Sequence, residues 1–432
     1  MTAPVFEQPY VISWNLTYRC NLACEHCYLD AGPRPAVHTD AFADRRELDT
    51  AGCLRVIDEV ADFAPDCLLI LTGGEPLLRR DIVDIVRYAA GKGLWVVIGT
   101  NGVRITQNLA EILQREGARG MSLSLDALDA ERHDAFRQVR GAWQNTVDGA
   151  AILSRVGLPY IVQTTVARHN VGELGGLAEF AAEVLGATVW NLYFLVPTGR
   201  GAHVSDLDAA DYDRVLAELF TIQRRFAGRM LVNAKCAPHY IRVLAERDPS
   251  SPFLKSYAGG AGGCPAGTHY LGIRPNGDVT PCPYLPLFGG NLTLSSLRDI
   301  WDGSEVFTRI RQRTALGGKC GACELAPGCG GCRARAFGMT GDVMAEDPLC
   351  THTPGTLRLP APALEYGAET PRELAWEPAA EGHMKQIPAF VRGMVSRRVE
   401  AYCRENGLPR VTVEVLAEIR AKMPTPKLFG RK

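Results

Sequence analysis

The first 200 or so residues alternate between short apolar runs and longer segments whose apolar positions recur at helical spacing. Six strand–helix units of this kind indicate an α/β fold with a parallel sheet covered by helices. Right-handed crossovers curl such a sheet into a partial (β/α)6 barrel of the TIM type, which we expect over residues 1–205. The runs that predict strands are YVISWNLT, CLLILTGG, LWVVIGTNG, GMSLSLDA, YIVQTTVA and TVWNLYFLVP.

The rest of the chain divides by composition. Residues 206–260 have a polar, helical pattern and predict a bridge without a core of its own. Residues 261–353 are dense in Gly, Pro and Cys, and a bound metal is the expected support for such a segment. Residues 354–382 read as a Pro- and Ala-rich linker, and 383–432 as a small helical domain. An apolar helical face is expected there, with Gly407 ending the helix and Thr412 capping the next. That face comprises Ile387, Phe390, Val391, Met394, Val395, Val399 and Tyr402.

Two loop motifs follow the first two predicted strands. RCNLACEHC places Cys20, Cys24 and Cys27 after the first, and GGEP places Gly73–Pro76 after the second. Loops at the carboxyl ends of parallel strands share one mouth of a barrel, so the two motifs should meet. Three thiols suit neither a disulfide nor a four-ligand zinc ion, but they can hold three irons of a cubane and leave the fourth iron open. Zinc with His26 as fourth ligand is the alternative, although adjacent His26 and Cys27 can hardly reach one ion.

Composition limits the possible partners and the compartment. The chain has 432 residues, 46% hydrophobic and 22% charged, as in a soluble protein of two or three domains. Its formal net charge of -1 argues against nucleic-acid or membrane partners. The start lacks a signal-peptide pattern and no run approaches the ~20 apolar residues of a membrane helix, so we expect a cytoplasmic protein. Its 14 cysteines should then not form disulfides, and Cys53, Cys67 and Cys403 read as buried thiols.

The cysteine triplet followed by GGEP resembles the radical S-adenosylmethionine (SAM) superfamily. The resemblance implies an enzyme with a [4Fe-4S] cluster held by Cys20, Cys24 and Cys27. SAM would chelate the open iron, and its reductive cleavage would yield a deoxyadenosyl radical that abstracts a substrate hydrogen. Gly73, Gly74, Glu75 and Pro76 would bind SAM, with the Glu75 carboxylate accepting a hydrogen bond from the SAM ammonium group.

The segment SLSLDALDAERHDAFRQVRGAW resembles the fourth strand and following loop of that superfamily. Ser124 and Asp126 are therefore candidate contacts to the SAM ribose or carboxylate, although a strand-end cap and a loop acid would look the same. Arg137 and Arg140 have the pattern of exposed helix arginines. Further candidate pocket residues are Thr100 to Gly102, Asn191 and the glycines of VPTGRG, which could approach the adenine.

The later cysteines resemble the SPASM extension of radical SAM enzymes, which carries one or two auxiliary [4Fe-4S] clusters. The turn Asn276-Gly277 predicts a hairpin that delivers Cys282 beside Cys264. The family pattern assigns Cys320, Cys323, Cys329 and Cys350 to one cluster, and Cys264, Cys282 and Cys332 to the other.

The chain departs from the SPASM pattern in two places. Two residues rather than three separate Cys329 from Cys332, and no cysteine lies just before Cys264. The three-cysteine cluster therefore either has an open iron that could bind substrate, or takes Cys236 as its fourth ligand. A zinc ribbon over 320–332 is the rival interpretation.

Resemblance also suggests a substrate class. VISWNLTYRCNLACEHCY and CAPHY resemble the subgroup that acts in alternative haem and nitrite-reductase haem biosynthesis. The tail resembles the C-terminal domain of the light-independent protochlorophyllide reductase B subunit, and Arg392, Arg397 and Arg398 could contact propionates or simply form a solvated face. We therefore expect an oxidoreductase or lyase that acts on a tetrapyrrole side chain and receives electrons from a ferredoxin or flavodoxin.

Two alternatives carry different predictions. A peptide-modifying SPASM maturase often has an N-terminal winged-helix domain, for which the nineteen residues before Cys20 leave no room. A non-enzymatic electron carrier with several clusters would need neither Glu75 nor Ser124 nor an open iron.

Overall fold

The computed structural model describes residues 7–33, 46–204, 207–251, 253–255, 263–359, 372–385 and 387–422. Its main element is a parallel sheet in which each of the first seven strands lies beside its neighbour in the chain. This arrangement confirms the predicted partial barrel, with six strand–helix units in the predicted order. The strands are β1 (Val11–Asn15), β2 (Leu68–Thr72), β3 (Trp95–Thr100), β4 (Gly120–Ser124), β5 (Tyr160–Val166), β6 (Val189–Phe194) and β7 (Leu231–Lys235).

Helices cover the outer face of this sheet. In the first helix Cys53, Val56, Ile57 and Val60 are buried at helical spacing, and Asp49 caps it by accepting a hydrogen bond from the Gly52 amide at 2.7 Å. The helices of the barrel are α1 (Thr50–Phe63), α2 (Ile82–Gly91), α3 (Gln107–Arg115), α4 (Ala130–Arg137), α5 (Ala142–Val156), α6 (Leu174–Glu179), α7 (Ala209–Arg225) and α8 (Tyr240–Arg247).

Strand alternation explains why the barrel has a cavity at its mouth. On β3 the outward-facing Val96 and Ile98 are fully buried under the helices. The opposite, inward face of the strands carries small or polar residues, which leave space at the carboxyl ends. The inward residues that line this space are Thr72, Gly99, Ser122, Ser124, Gln163 and Thr165.

The predicted helical bridge of residues 206–260 is wrong in one respect. Between α7 and α8 the chain forms β7, a seventh parallel strand that pairs with β6. The LVNAK stretch is short and carries polar residues, so its strand pattern is hidden between two strong helices. The correction matters because Cys236 follows β7 directly and therefore lies at the barrel mouth.

The cysteine-rich segment extends the same sheet. Its first strand pairs parallel with β1, and the predicted hairpin is confirmed, with Gly277 at a φ of 90°. Contrary to the expectation of little apolar packing, Leu297, Trp301 and Phe307 are fully buried in the main core. The elements are β8 (Tyr270–Ile273), β9 (Asp278–Thr280), β10 (Gly290–Asn291), α9 (Leu297–Gly303), α10 (Glu305–Arg311), α11 (Gly318–Gly321) and α12 (Arg333–Thr340).

The C-terminal unit has a separate apolar cluster that includes Val399, Cys403 and Val411. It begins earlier than predicted, because 375–384 already form a strand and a helix rather than linker. The Thr412 cap is confirmed by the Val415 amide, which donates to Thr412 Oγ1 at 3.3 Å. The predicted linker over 360–371 and the side chains of Phe390, Val391 and Met394 lie outside the described residues. The elements are β11 (Ala375–Trp376), α13 (Pro378–Met384), α14 (Ala389–Glu405), β12 (Arg410–Val411) and α15 (Val413–Lys422).

Two further expectations can be compared with the structure. The thiols of Cys53, Cys67 and Cys403 are at most 1% exposed, which confirms their interpretation as buried thiols. Within the part of the chain that the structure describes, no helix is long and apolar enough to cross a membrane.

Candidate active site and cysteine centres

The cysteine triplet lies where β1 ends, at the mouth of the barrel. Cys20 and Cys24 are buried and Cys27 is half-buried. Backbone amides point at the sulfurs, since the Leu22 amide donates to Cys20 Sγ at 3.4 Å and the Ala31 amide to Cys27 Sγ at 3.3 Å. Burial and the neighbouring charges raise the pKa of the Cys20 thiol to about 12. Such a set favours metal-bound sulfur, because an iron stabilises the thiolate that this pocket otherwise disfavours.

The GGEP loop packs against the cysteine loop. The Gly74 amide donates to the Thr17 carbonyl at 2.7 Å and the Glu75 amide to the Arg19 carbonyl at 2.9 Å. A Cβ on Gly74 would lie 2.3 Å from the Arg19 carbonyl oxygen, so only glycine allows this approach. Pro76 then starts a short 3-10 turn. The two motifs are therefore brought together, as the sequence predicted.

Glu75 joins the loops on either side of the glycine motif. Its side chain is fully buried and both carboxylate oxygens accept hydrogen bonds: from the Leu77 amide and the Thr100 hydroxyl at 3.0 and 2.8 Å, and from the Asn101 amide at 2.9 Å. Burial nevertheless raises the pKa of Glu75 to about 7. The carboxylate ties the loops after β2 and β3 together from behind, whereas the backbone of Gly73 and Gly74 lines the cavity.

Asp126 also lies behind the cavity wall rather than in it. It is fully buried, and its carboxylate accepts a hydrogen bond from Arg137 Nε at 2.7 Å and from the Thr165 amide at 2.8 Å. Burial raises its pKa, but the charge of Arg137, the nearby His26 and His133 and the hydrogen bond from the Thr165 amide together lower the pKa to about 2. Ser124, in contrast, does line the cavity.

Arg137 lies at the site, although the helical pattern indicated an exposed arginine. Instead of being exposed it is 6% accessible, lines the cavity and donates from Nη1 to Cys24 Sγ at 3.5 Å. Arg140, which has the same sequence signal, is exposed. Only the fold separates the two arginines, because α4 ends at Arg137 and turns that side chain inward.

The VPTGRG fragment packs against the cysteine loop and forms hydrogen bonds with it, so its glycines contact that loop. A Cβ on Gly199, which has a φ of 55°, would lie 2.5 Å from the Cys27 carbonyl oxygen. Arg200 donates to the Cys24 carbonyl at 2.8 Å, the Asp30 carboxylate at 2.7 Å and the Ala31 carbonyl at 2.8 Å. Asn191 is buried and accepts a hydrogen bond from Asn233 at 3.0 Å, and it pairs in register with the cavity-lining Gln163.

The cavity extends from the cysteine triplet to the cysteine-rich segment. It has an empty volume of about 1250 Å³ counted with its open mouth. Beyond the polar inward residues its wall is formed by four tyrosines: Tyr28, Tyr193, Tyr270 and Tyr284. The rings of Tyr28 and Tyr284 are 4.7 Å apart, and burial raises the pKa of all four phenols, so they remain neutral.

Four thiols meet at the far end of the tyrosine wall. Cys282 and Cys332 are buried in one apolar cluster, and Cys236 and Cys264 pack against it. The proximity of Cys236 lowers the pKa of Cys332. Of the two alternatives that the sequence left open, the structure places Cys236 beside the predicted set of three.

The second predicted set also comes together. The charge of Cys320 acts on the thiols of Cys323, Cys329 and Cys350. Backbone amides donate to two of these sulfurs, from Leu325 to Cys323 at 3.4 Å and from Gly331 to Cys329 at 3.5 Å.

The spacing of the sulfurs does not match a zinc site. Zinc–sulfur bonds of about 2.3 Å would draw the ligand sulfurs to within roughly 4 Å of one another. Among the described residues, which include all fourteen cysteines, no three sulfurs lie within 4.8 Å of one another. The one compact group of possible ligands there is Cys323, Glu324 and His352. This spacing argues against a zinc ribbon and against a zinc ion beside His26.

Comparisons with known proteins agree with this geometry. Residues 14–181 match the radical SAM superfamily model, and 264–324 match the iron–sulfur cluster-binding (SPASM) domain. The chain is 39% identical over 352 residues to the AdoMet-dependent heme synthase of Methanosarcina barkeri, which covers 80% of this chain and 97% of that protein. The chain belongs to the radical SAM superfamily. A weaker match covers 376–420, to the proto-chlorophyllide reductase 57 kD subunit.

Other members of the superfamily are more distant. The mycofactocin maturase MftC of Mycolicibacterium smegmatis is 32% identical over 379 residues, covering 85% of this chain and 87% of that protein. Streptococcus suis SuiB bound to S-adenosylmethionine has a TM-score of 0.64 at 19% identity, covering 80% of this chain and 78% of that one. Native anSMEcpe with bound AdoMet has a TM-score of 0.61 at 17% identity, and the match covers 79% of this chain and 94% of that one. These structures share the fold.

As a radical SAM enzyme with a SPASM domain, the protein uses a [4Fe-4S] cluster with SAM and auxiliary iron–sulfur clusters. Its residues fit these groups. Three buried or half-buried thiols with amide donors face a cavity with a glycine cradle, and two further thiol sets lie in the SPASM region. Arg137 and Cys236 could not be assigned from the sequence, because their signals depend on where α4 and β7 end.

Proposed function

We propose that this radical SAM enzyme modifies a tetrapyrrole side chain in the biosynthesis of haem or a related cofactor. The observation that carries the proposal is the similarity, over almost their whole length, to proteins named AdoMet-dependent heme synthase. The similarity to peptide-modifying relatives is lower.

The proposed ligands of the first cluster are Cys20, Cys24 and Cys27. When bound, this cluster and SAM supply a deoxyadenosyl radical that removes a hydrogen atom from the substrate. The chain's own residues hold the site in shape. The glycines of the GGEP loop let a ligand approach the backbone, Glu75 fixes that loop, and Ser124 offers a hydroxyl to the bound cofactor. Pro76 sets the turn that follows, and Asp126 acts by holding Arg137 beside Cys24.

The lining of the cavity supports a flat, conjugated substrate. The cavity is open at its mouth and runs from the cysteine triplet to the tyrosine wall, so SAM and a substrate can occupy it side by side. Neutral tyrosine rings present apolar faces on which a conjugated ring system can stack.

The auxiliary ligand sets and the surroundings of the enzyme are also proposals. Cys320, Cys323, Cys329 and Cys350 would hold one auxiliary cluster, and Cys264, Cys282 and Cys332 would belong to the other. A cytoplasmic ferredoxin or flavodoxin would supply the electron that reductive SAM cleavage consumes. The division into barrel, SPASM and C-terminal domains stands as proposed, with β7 added to the barrel.

A substrate-stimulation assay tests the proposal. Anaerobically reconstituted protein is incubated with reductant, SAM and either sirohaem-derived tetrapyrroles or candidate peptides, and deoxyadenosine is measured. We expect stimulation by a tetrapyrrole, together with a mass change in that tetrapyrrole. Cys24→Ala should abolish deoxyadenosine formation, whereas Cys67→Ala, a matched buried thiol outside the site, should not. Stimulation by peptide alone would overturn the substrate assignment, and cleavage by Cys24→Ala would overturn the ligand assignment.

A further inference from the structure

Cys236 lies on the barrel, whereas its three thiol neighbours come from the cysteine-rich segment. It is the first residue after β7, and it packs with Cys264 against the buried cluster that contains Cys282 and Cys332. The site that lacked one ligand in the sequence therefore has a fourth sulfur in contact with it.

The backbone of Cys236 is held in an unusual conformation. Its φ of 56° is left-handed, which non-glycine residues rarely adopt without support. The support comes from its carbonyl, which accepts hydrogen bonds from Arg335 Nη2 at 2.7 Å and from the Tyr212 hydroxyl at 3.4 Å. The Arg335 guanidinium lies 4.9 Å from the centre of the Tyr212 ring. Strain at a supported position is typical of a functional site rather than of a filler thiol.

One carboxylate connects this support to the opposite ligand. Asp347 is fully buried, pairs with Arg335 Nη1 at 3.0 Å and accepts a hydrogen bond from the Cys332 amide at 2.8 Å. The same oxygen lies 3.1 Å from His239 Nε2. Asp347 thus fixes Cys332 directly and Cys236 through Arg335, so the two sulfurs are positioned as a pair.

We propose that Cys236 is the fourth thiolate ligand of this auxiliary cluster, and that Arg335 is the positioning residue that presents it. The proposal rests on the proposed function only in requiring the auxiliary cluster. Its consequence is that this cluster has no open iron. A substrate therefore cannot coordinate to it, and the tyrosine-walled cavity binds the substrate beside the cluster.

Spectroscopy of the auxiliary cluster tests the ligand assignment without relying on activity. Iron per chain and electron paramagnetic resonance spectra are compared for the reconstituted protein, Cys236→Ala and the control Cys403→Ala. We expect Cys236→Ala to lose iron and to show the signal of a three-iron cluster when oxidised, whereas Cys403→Ala matches the parent. Unchanged iron content and spectra in Cys236→Ala would overturn the proposal.

The role of Arg335 has its own readout. Arg335→Lys keeps the positive charge but cannot bond the Asp347 carboxylate and the Cys236 carbonyl with one planar group. We expect iron content to be retained and the midpoint potential of the auxiliary cluster to shift. An unchanged potential and spectrum would contradict the positioning role. Circular dichroism of each variant shows whether a loss of iron reflects unfolding. Deoxyadenosine formation in the absence of substrate, which depends on the first cluster, separates failure of this proposal from failure of the proposed function.

Discussion

Two buried carboxylates shape the barrel mouth although neither faces the cavity. Glu75 joins the loops after β2 and β3, and Asp126 holds Arg137 beside Cys24. Glu75 was predicted to contact SAM from its motif, and Asp126 was one of two candidates beside Ser124, with a role as a loop acid as the alternative. The sequence places such residues in the right loops, but it does not show which backbone amides compete for each carboxylate.

Replacing Arg137, the ion-pair partner of Asp126, should destabilise the folded protein. Arg137→Met leaves a buried carboxylate without its cation, and we expect a loss of unfolding free energy of about 3–5 kcal/mol. Because the folded pKa of Asp126 lies below its ordinary 3.8, this contribution is present above that pH and disappears as the pH falls towards 2. Urea denaturation at neutral pH measures the loss. Arg140→Met, at an exposed site, should change stability by no more than about 0.5 kcal/mol. Equal midpoints for the two variants would contradict the burial argument.

Lys235 is the cation best placed to meet a substrate carboxylate. It pairs in register with Tyr193, and paired residues on neighbouring strands face the same side of a sheet. Since Tyr193 lines the cavity, Lys235 lies on the cavity side at its rim. We expect Lys235→Ala to raise the KM for a tetrapyrrole roughly tenfold, the loss of about 1.4 kcal/mol, with basal deoxyadenosine formation unchanged. Lys235→Arg should restore binding, and a KM equal to that of the parent in Lys235→Ala would refute the contact.

At the scale of elements, the strands predicted from apolar runs were found in the predicted order. Long β-branched runs such as the one in β3 have few alternatives to a buried strand. The element that was missed, β7, is short and carries the polar residues Asn233 and Lys235, so its strand pattern is weak. Cys236 was named from the sequence as a possible fourth ligand, but its position at the end of a barrel strand was not predicted.

We expect the barrel to bind its clusters and cleave SAM without the C-terminal unit. Its apolar cluster consists of its own residues, and one contact to the barrel joins Arg392 and Asp66 at 3.1 Å. We expect a chain ending at Leu359 to keep its iron content and its substrate-independent deoxyadenosine formation. The matched control is full-length Arg392→Ala, which removes that ion pair together with the hydrogen bonds from Arg392 to the Ile387 carbonyl within the unit. Loss of iron from the shortened chain would show that the cores are coupled.

At the scale of the whole molecule, the first thiol set lines the central cavity, the set with Cys332 packs beside the tyrosines of its wall, and the set with Cys320 lines a separate pocket. The barrel supplies the first set and Cys236, whereas the cysteine-rich segment supplies the remaining thiols. The fold class and the ligand types could be predicted from motif spacing, because strand order fixes which loops meet. The family pattern also grouped the later cysteines, and in the structure Cys332 packs with Cys264 and Cys282 rather than with its sequence neighbours.

The most direct test of the account follows a hydrogen atom. A tetrapyrrole deuterated in its side chains is incubated anaerobically with the reconstituted enzyme, reductant and SAM, and both products are analysed by mass spectrometry. The account predicts deuterium in the deoxyadenosine and a tetrapyrrole of changed mass. Unlabelled deoxyadenosine beside an unaltered tetrapyrrole would contradict it.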